Sequence, residues 1–171
     1  VHVRPWFCPG RGPKLAHRIA EAIGTARHRV RIASPVITSA PVLSTIAQRI
    51  GEGHLDLAGV VDATQVGQVL RQWEQQTPGS WKRPVLERIM GSGHFTGKPS
   101  TPWRPGAVHD YMHAKVTVAD DTVFVGSYNL SRSGESNAEN VLEIHGRELA
   151  DRMARYIDAV RARYPLADVR P

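Results

Sequence analysis

Residues 111–144 read YMHAKVTVADDTVFVGSYNLSRSGESNAENVLEI, and within them His113, Lys115 and Asp120 stand in the order H-x-K-x4-D. From 113 to 119 the pattern alternates as a strand, and side chains two apart on a strand share a face. His113 and Lys115 therefore project together, while Val116 and Val118 turn to the opposite face, where a core would bury them. Asp120 and Asp121 make a tight turn. The apolar run 122–125 returns as a second strand and delivers Gly126, Ser127 and Asn129, a glycine-started polar turn able to bring donors close to an anion. Asn137 and Glu139 follow, just ahead of an apolar strand at 141–144.

The chemistry these residue types suggest is phosphodiester cleavage without a metal. A phosphate needs cations and amide or hydroxyl donors around its oxygens, a role open to Lys115, Ser127 and Asn129. It also needs a nucleophile, which neutral imidazole can supply. A carboxylate such as Glu139, bonded to the other ring nitrogen, would fix its tautomer and orientation. The leaving oxygen needs a proton, for which a second histidine is the natural donor near neutral pH.

At these positions the sequence resembles the phospholipase D superfamily, whose hallmark is H-x-K-x4-D followed by G-S-x-N and a downstream N-x-E. His113, Lys115, Asp120, Gly126, Ser127, Asn129, Asn137 and Glu139 all fall in place. The resemblance implies a covalent phosphohistidine on His113, phosphate held by Lys115 and Asn129, an orienting Glu139 and a mainly structural Asp120. The wording GSYN…SNAENV is most similar to the single-repeat bacterial endonucleases of the superfamily. Taken alone, a strand histidine or an Asp-Asp pair would read as ordinary surface and turn chemistry. The coincidence of all the motif positions is what separates the two readings.

The family mechanism takes one histidine from each of two motif copies, and the chain carries one. Either two chains meet about a two-fold axis, each lending His113, or the second copy lies elsewhere in a longer protein. Isologous dimers are the commonest assembly and fit the first case. The stretch SPVIT at 34–38 resembles the second half of two-repeat members, and together with the Val start it fits the second.

A length of 171 residues sets the expectation of one domain, 1–171, large enough to bury a substantial core. Lys and Arg total 22 against 16 Asp and Glu, a formal net charge of +6, which favours a polyanionic partner such as nucleic acid or an anionic membrane surface. Cys8 is the only cysteine, so neither an internal disulfide nor a cysteine zinc cluster can form, and a small apolar role is the expectation for it. No cofactor is implied. No apolar run reaches transmembrane length and no signal-peptide pattern opens the chain, which points to the cytoplasm.

Outward from the motif, helical spacing is expected from Pro13 through Ala26, over 41–50, over 64–75 and over 147–164, with strands at the amino terminus, at 29–33 and at 55–61. Strand and helix alternate and then give way to a hairpin and a late strand, the order of an α/β sandwich with a mixed central sheet flanked by helices. The resemblance implies the same fold. In the last helix, Leu149, Met153, Tyr156, Ile157 and Val160 are expected to face inward. Arg27, His28, Arg29 and Arg31 form a basic cluster, read as a solvated helix-to-strand junction rather than a phosphate contact. Ser34 and Thr38 are candidate rim residues at a strand carboxyl end. His94 and His109 are expected to be surface or capping residues.

The segment 76–106 breaks the pattern as a Gly/Pro-rich basic insertion, with a short helix at most over 84–90. Trp81, Lys82, Arg83, Trp103 and Arg104 are candidate nucleic-acid contacts there, since aromatic side chains among cations suit base stacking with backbone neutralisation. Phe95 lies in the same stretch. The same composition suits docking on anionic lipid, or aromatics that only pin the loop to the sheet. Three functions stay open: a nuclease acting on DNA or RNA, a phospholipase or phosphatidyltransferase, and a nucleic-acid-binding module inactive in isolation.

Overall fold

The computed structural model describes residues 1–167; the last four of the expected 1–171 domain lie outside the described residues. The chain opens with β1 (His2–Phe7), α1 (Gly12–Thr25), β2 (Arg29–Ala33) and α2 (Ala40–Glu52), and continues through β3 (Asp56–Asp62) and α3 (Ala63–Gln76). Then come α4 (Lys82–Met90), β4 (Phe95–Lys98), β5 (Val116–Ala119), β6 (Thr122–Gly126), α5 (Arg132–Ser136), β7 (Asn140–His145) and α6 (Arg147–Arg161).

The strands form one mixed sheet in the order β1-β7-β6-β5-β2-β3-β4. β2, β3 and β4 run parallel, and β1, β7, β6, β5 and β2 pair antiparallel in turn. Parallel strands need helical crossovers, which α2 and the α3–α4 pair supply. β3, DLAGVVD, is buried on both faces from Leu57 to Asp62, as the continuous apolar run 57–61 requires.

One face of the sheet packs under α1, α2 and α4, with Leu15, Ile19, Ile23, Ile32, Ile46 and Phe95 among its fully buried side chains. α6 covers the other face with Ala150 and Ile157 against Val60, Val116, Val118 and Val123. Val116 and Val118 are thus in the core below α6, as the alternation demands. Tyr156 departs from the expectation. It is 48% exposed, because the inward stripe of α6 runs through Ala150, Ala154 and Ile157 instead.

The larger correction concerns 76–106. The segment is no simple loop: α4 occupies 82–90, and β4 adds a parallel edge strand whose four residues are all buried. Its short length and single apolar aromatic gave β4 no period to read. Phe95 is fully buried beside Leu86, Ile89 and Met90, and therefore unavailable to stack on bases. Lys98 is also buried, with Nζ 3.1 Å from Asp110 and over the Tyr164 ring.

Two of the four basic-cluster residues, Arg29 and Arg31, form internal ion pairs, while Arg27 and His28 are exposed. Arg31 Nε meets Asp158 of α6 at 2.7 Å and its Nη2 meets Asp56 at 2.8 Å, while Arg29 pairs with Asp151. These two side chains fasten α6 to the sheet instead of lying solvated as expected.

Candidate active site

Strand β5 begins at Val116, so His113 and Lys115 stand just before it rather than within it. The cause lies in the partner: β6 pairs Val116 with Val125 and ends at Gly126, and only the Gly126 N–H to Lys115 O bond extends the ladder. His113 is exposed, with its ring edge-on to Tyr111 at 5.1 Å between centroids, and Tyr111 stacks in turn on His109 at 5.2 Å. Lys115 is half-buried and its Nζ donates to His113 O at 2.7 Å.

Desolvation pushes the His113 imidazole below its ordinary value, and the Lys115 ammonium pushes it further the same way. Burial also lowers Lys115, against an opposing pull from the Glu139 carboxylate. A nucleophilic imidazole must be neutral, and a lowered value extends the neutral form to lower pH. The acid limb of a kcat/KM profile is therefore expected below about 6.5, the ordinary histidine value, and Lys115→Gln is expected to move it upward.

Asp120 closes the two-residue turn between β5 and β6 in a left-handed conformation (φ 49°), which Asp tolerates better than most residues. Its carboxylate turns away from the cleft and accepts three backbone N–H bonds, from Arg27, His28 and Arg29 at 2.8, 2.9 and 3.0 Å. Burial raises its pKa, but these bonds outweigh burial and hold it below the usual carboxylate range. With a depressed folded value, the contribution to stability is complete above the unfolded value of about 3.9 and is lost as pH falls through the folded one. Urea midpoints are expected to show Asp120→Asn well below wild type at pH 7, with the gap closing on acidification below about pH 4.

Gly126 has a steric reason beyond approach to an anion. A Cβ there would collide with the carbonyl of Asn140, where β6 and β7 meet. Ser127 locks the same junction: its N–H donates to Asn140 O at 2.9 Å and its Oγ accepts from Asn140 N at 3.0 Å. A cavity of about 10 Å³ beside this turn is lined by Lys115, Gly126, Tyr128 and Ser34, among others.

Asn129 opens instead into a wider groove with Lys82 and Arg132, and its buried Oδ1 meets no donor among the described residues. Glu139 is not bonded to His113. It accepts from Asn137 Nδ2 at 3.5 Å, and its carbonyl takes the Cys8 N–H at 2.9 Å, which ties it to the β1 edge of the sheet.

Three residues, Ser34, Thr38 and Asp62, support the site through long-range backbone bonds that the sequence did not show. Ser34 is buried, donates to Val36 O at 2.7 Å and accepts from Leu130 N at 3.3 Å. Leu130 O in turn takes the N–H groups of Thr38 and Ser39 at 2.8 and 3.0 Å, so the 34–39 stretch cradles the turn that carries Asn129. Ser34 and Thr38 also line the site, Ser34 in the small cavity beside Lys115 and Thr38 in the Asn129 groove, so they are rim as well as underpinning.

The third is Asp62, fully buried at the end of β3. It caps α3 through Gln65 N (3.0 Å), accepts the Ser100 hydroxyl (2.8 Å) and holds Met112 N (3.0 Å), one residue before His113. An Asp after an apolar strand and before a helix was a readable N-cap signal, but the bond to Met112 spans 50 positions.

The basic candidates divide. Lys82 reaches Thr38 O at 2.9 Å beside Asn129, and burial and the nearby Arg132 lower its pKa despite Glu135. Arg83 is held by Glu87 and Glu74 at 3.0 and 3.2 Å. Trp81 and Trp103 are exposed, the latter 69%, and Arg104 lies beside Trp103 on the long β4–β5 connection. His94 donates from Nδ1 to Leu57 O at 2.8 Å, a capping role. Among the described residues, no group of three or more His, Cys, Asp and Glu side chains could hold a metal ion, and no helix is long and apolar enough to cross a membrane.

A mixed sheet whose central hairpin carries H-x-K-x4-D, with G-S-x-N leaving the return strand, is a phospholipase D-like α/β fold. The family described as "Cardiolipin synthase, PLD-like domain" matches residues 19–161, and the chain belongs to it, within the phospholipase D phosphodiesterase superfamily. The fold is shared with Nuc of Salmonella typhimurium, a phospholipase D family member, at 20% identity and TM-score 0.66, over 95% of each chain. NucT of Helicobacter pylori is similar at 18% identity and TM-score 0.71, over 98% of this chain and 99% of that one. Phosphatidylserine synthase of Haemophilus influenzae is similar at 19% identity and TM-score 0.65, over 98% of this chain but 39% of that one. A search of curated proteins by sequence gave no match.

Proposed function

We propose that the chain is a metal-independent nuclease that cleaves DNA or RNA phosphodiester bonds through a phosphohistidine on His113. The observation that supports it best is an imidazole held toward its neutral form beside a half-buried ammonium, on the strand end that carries the motif. Lys115, Ser127 and Asn129 bind the phosphate oxygens and stabilise the charge that grows on them. An imidazole nitrogen attacks phosphorus, an N–P bond forms, and the P–O bond to the leaving alcohol breaks as a second histidine protonates that oxygen. The same second histidine then takes a proton from water, whose oxygen attacks phosphorus and breaks the N–P bond.

The second histidine comes from another copy of this chain in a two-fold dimer, or from a second motif in a longer protein. Within one chain, His109 stacks on the Tyr111 that abuts His113, but no hydrogen bond among the described residues links His109 to His113. Asp120 serves the site by fastening the hairpin. Glu139 sets the local charge felt by Lys115, and its orienting bond to His113 forms only in the assembled site.

A lipid-directed reading, phospholipase or phosphatidyltransferase, has its own support in the family description and in exposed Trp81 and Trp103. The deciding experiment incubates the chain in excess EDTA with single- and double-stranded DNA, with RNA and with anionic phospholipid vesicles. Cleaved nucleic acid with intact phospholipid is the expected result. Headgroup release without nucleic-acid cleavage overturns the nuclease reading in favour of lipid chemistry.

A further inference from the structure

Two open grooves flank the site and meet on α3. One, of about 530 Å³, lies between the start of α3, the Ser100–Pro102 segment and the His109–Tyr111 pair that leads into His113. The other, of about 490 Å³, lies between α3 and the wall made by Asn129, Lys82 and Arg132. Gln65 and Gln68 line both grooves, so the two meet along the solvent side of α3.

The spacing explains the placement. Residues three and seven apart on a helix share a face, and Gln65, Gln68 and Gln72 follow that spacing along the solvent side of α3, while Val66 and Leu70 go to the core. Gln72 is tied to Gln76 at 3.1 Å, and Gln65 is anchored only through its backbone N–H on Asp62.

The lining chemistry selects the ligand. Neither groove is lined by a carboxylate, and cations appear only on the Lys82–Arg132 wall, opposite the glutamines. A strand laid along this channel meets the Lys82 and Arg132 cations, the glutamine amides, and the apolar surfaces of Val36, Val69 and Trp73, against which a base can stack. Amides offer paired donors and acceptors, which match base edges or sugar hydroxyls and suit an acyl chain poorly, because burying an unmatched amide is costly. The buried Asn129 Oδ1, which meets no donor among the described residues, adds an open acceptor within the same groove.

We infer that Gln65 and Gln68 are specificity-determining residues that receive the bases of an unpaired polynucleotide strand while Lys82 and Arg132 hold its flanking phosphates. The inference rests on the nuclease reading above and names its substrate class. A paired strand would bring its complement against α3, where the amides stand, so unpaired DNA or RNA is cleaved in preference to duplex.

The test compares wild type with Gln65→Ala/Gln68→Ala on a single-stranded DNA oligonucleotide, the matching RNA, the DNA duplex, and bis(p-nitrophenyl) phosphate, a diester too small to span the groove. The readout is the ratio of kcat/KM for the oligonucleotide to kcat/KM for the small diester. The ratio is expected to fall about tenfold, through KM, for whichever of DNA or RNA the wild type cuts better. Wild type is also expected to cut the single strand at least several-fold faster than the duplex.

A ratio within twofold of wild type, with the oligonucleotide still cut, overturns the glutamine assignment and leaves the nuclease reading standing. Equal cleavage of duplex and single strand overturns the unpaired-strand claim. A wild-type chain that turns over the small diester but cuts no oligonucleotide overturns the nuclease reading, and this inference with it. Gln68 is exposed and Gln65 is only half-buried, so the double variant is expected to melt as wild type does.

Discussion

His113→Ala is expected to leave a folded chain whose phosphodiester cleavage falls by about 10⁴-fold or more, the scale seen when a covalent nucleophile is removed. The two halves of this result come from different observations. Folding survives because the side chain is exposed and its contact is the edge of Tyr111, so the stability change stays within about 0.5 kcal/mol. Activity does not survive, because no neighbouring group replaces an imidazole kept neutral by desolvation and by Lys115. Activity falling only two- or threefold would mean that His113 is not the nucleophile. Thermal melts beside initial rates on the same preparation separate the two halves.

Asp62→Ala is expected to do the opposite, damaging the fold first and the chemistry through it. The change removes the α3 cap, worth about 1 kcal/mol, and strands the buried Met112 N–H and the Ser100 hydroxyl at about 1 kcal/mol or more each, for a total near 3 kcal/mol. Met112 adjoins His113, so residual activity measured where the variant is still folded is expected to fall as well, mainly in kcat. Urea denaturation gives the stability loss, and hydrogen exchange at Met112 locates it. Wild-type protection at Met112 in a destabilised variant would show that Asp62 acts only on α3.

The hairpin behind the motif was legible in its apolar alternation, although His113 and Lys115 stand just before β5: Val116 and Val118 pack under α6 as their alternation requires, and the sheet is mixed as the order of elements implied. The geometry of 76–106 was not. β4 is four residues long, FTGK, with one apolar aromatic, and it is a strand only because β3 offers it a parallel edge. Nor could spacing reveal Asp62 or Ser34, whose partners Met112 and Leu130 lie 50 and 96 residues away and are backbone groups, which leave no side-chain signature.

Asp120 shows the same limit from the other direction. Its position in the motif was plain, but only the structure shows its carboxylate spent on three amides of the α1–β2 connection. The expected bond from Glu139 to His113 is not made within one chain: the Glu139 carboxylate meets Asn137, while its carbonyl takes the Cys8 N–H.

The central claim, a covalent phosphohistidine on His113, is tested most directly by quenching the reaction on an end-labelled oligonucleotide within the first turnover and mapping the labelled peptide by mass. The expected product is an adduct on the peptide containing His113, formed in excess EDTA, labile to acid and stable to base, and absent from His113→Ala. Rapid product formation in EDTA with no adduct at His113, or an adduct that survives in His113→Ala, would contradict it.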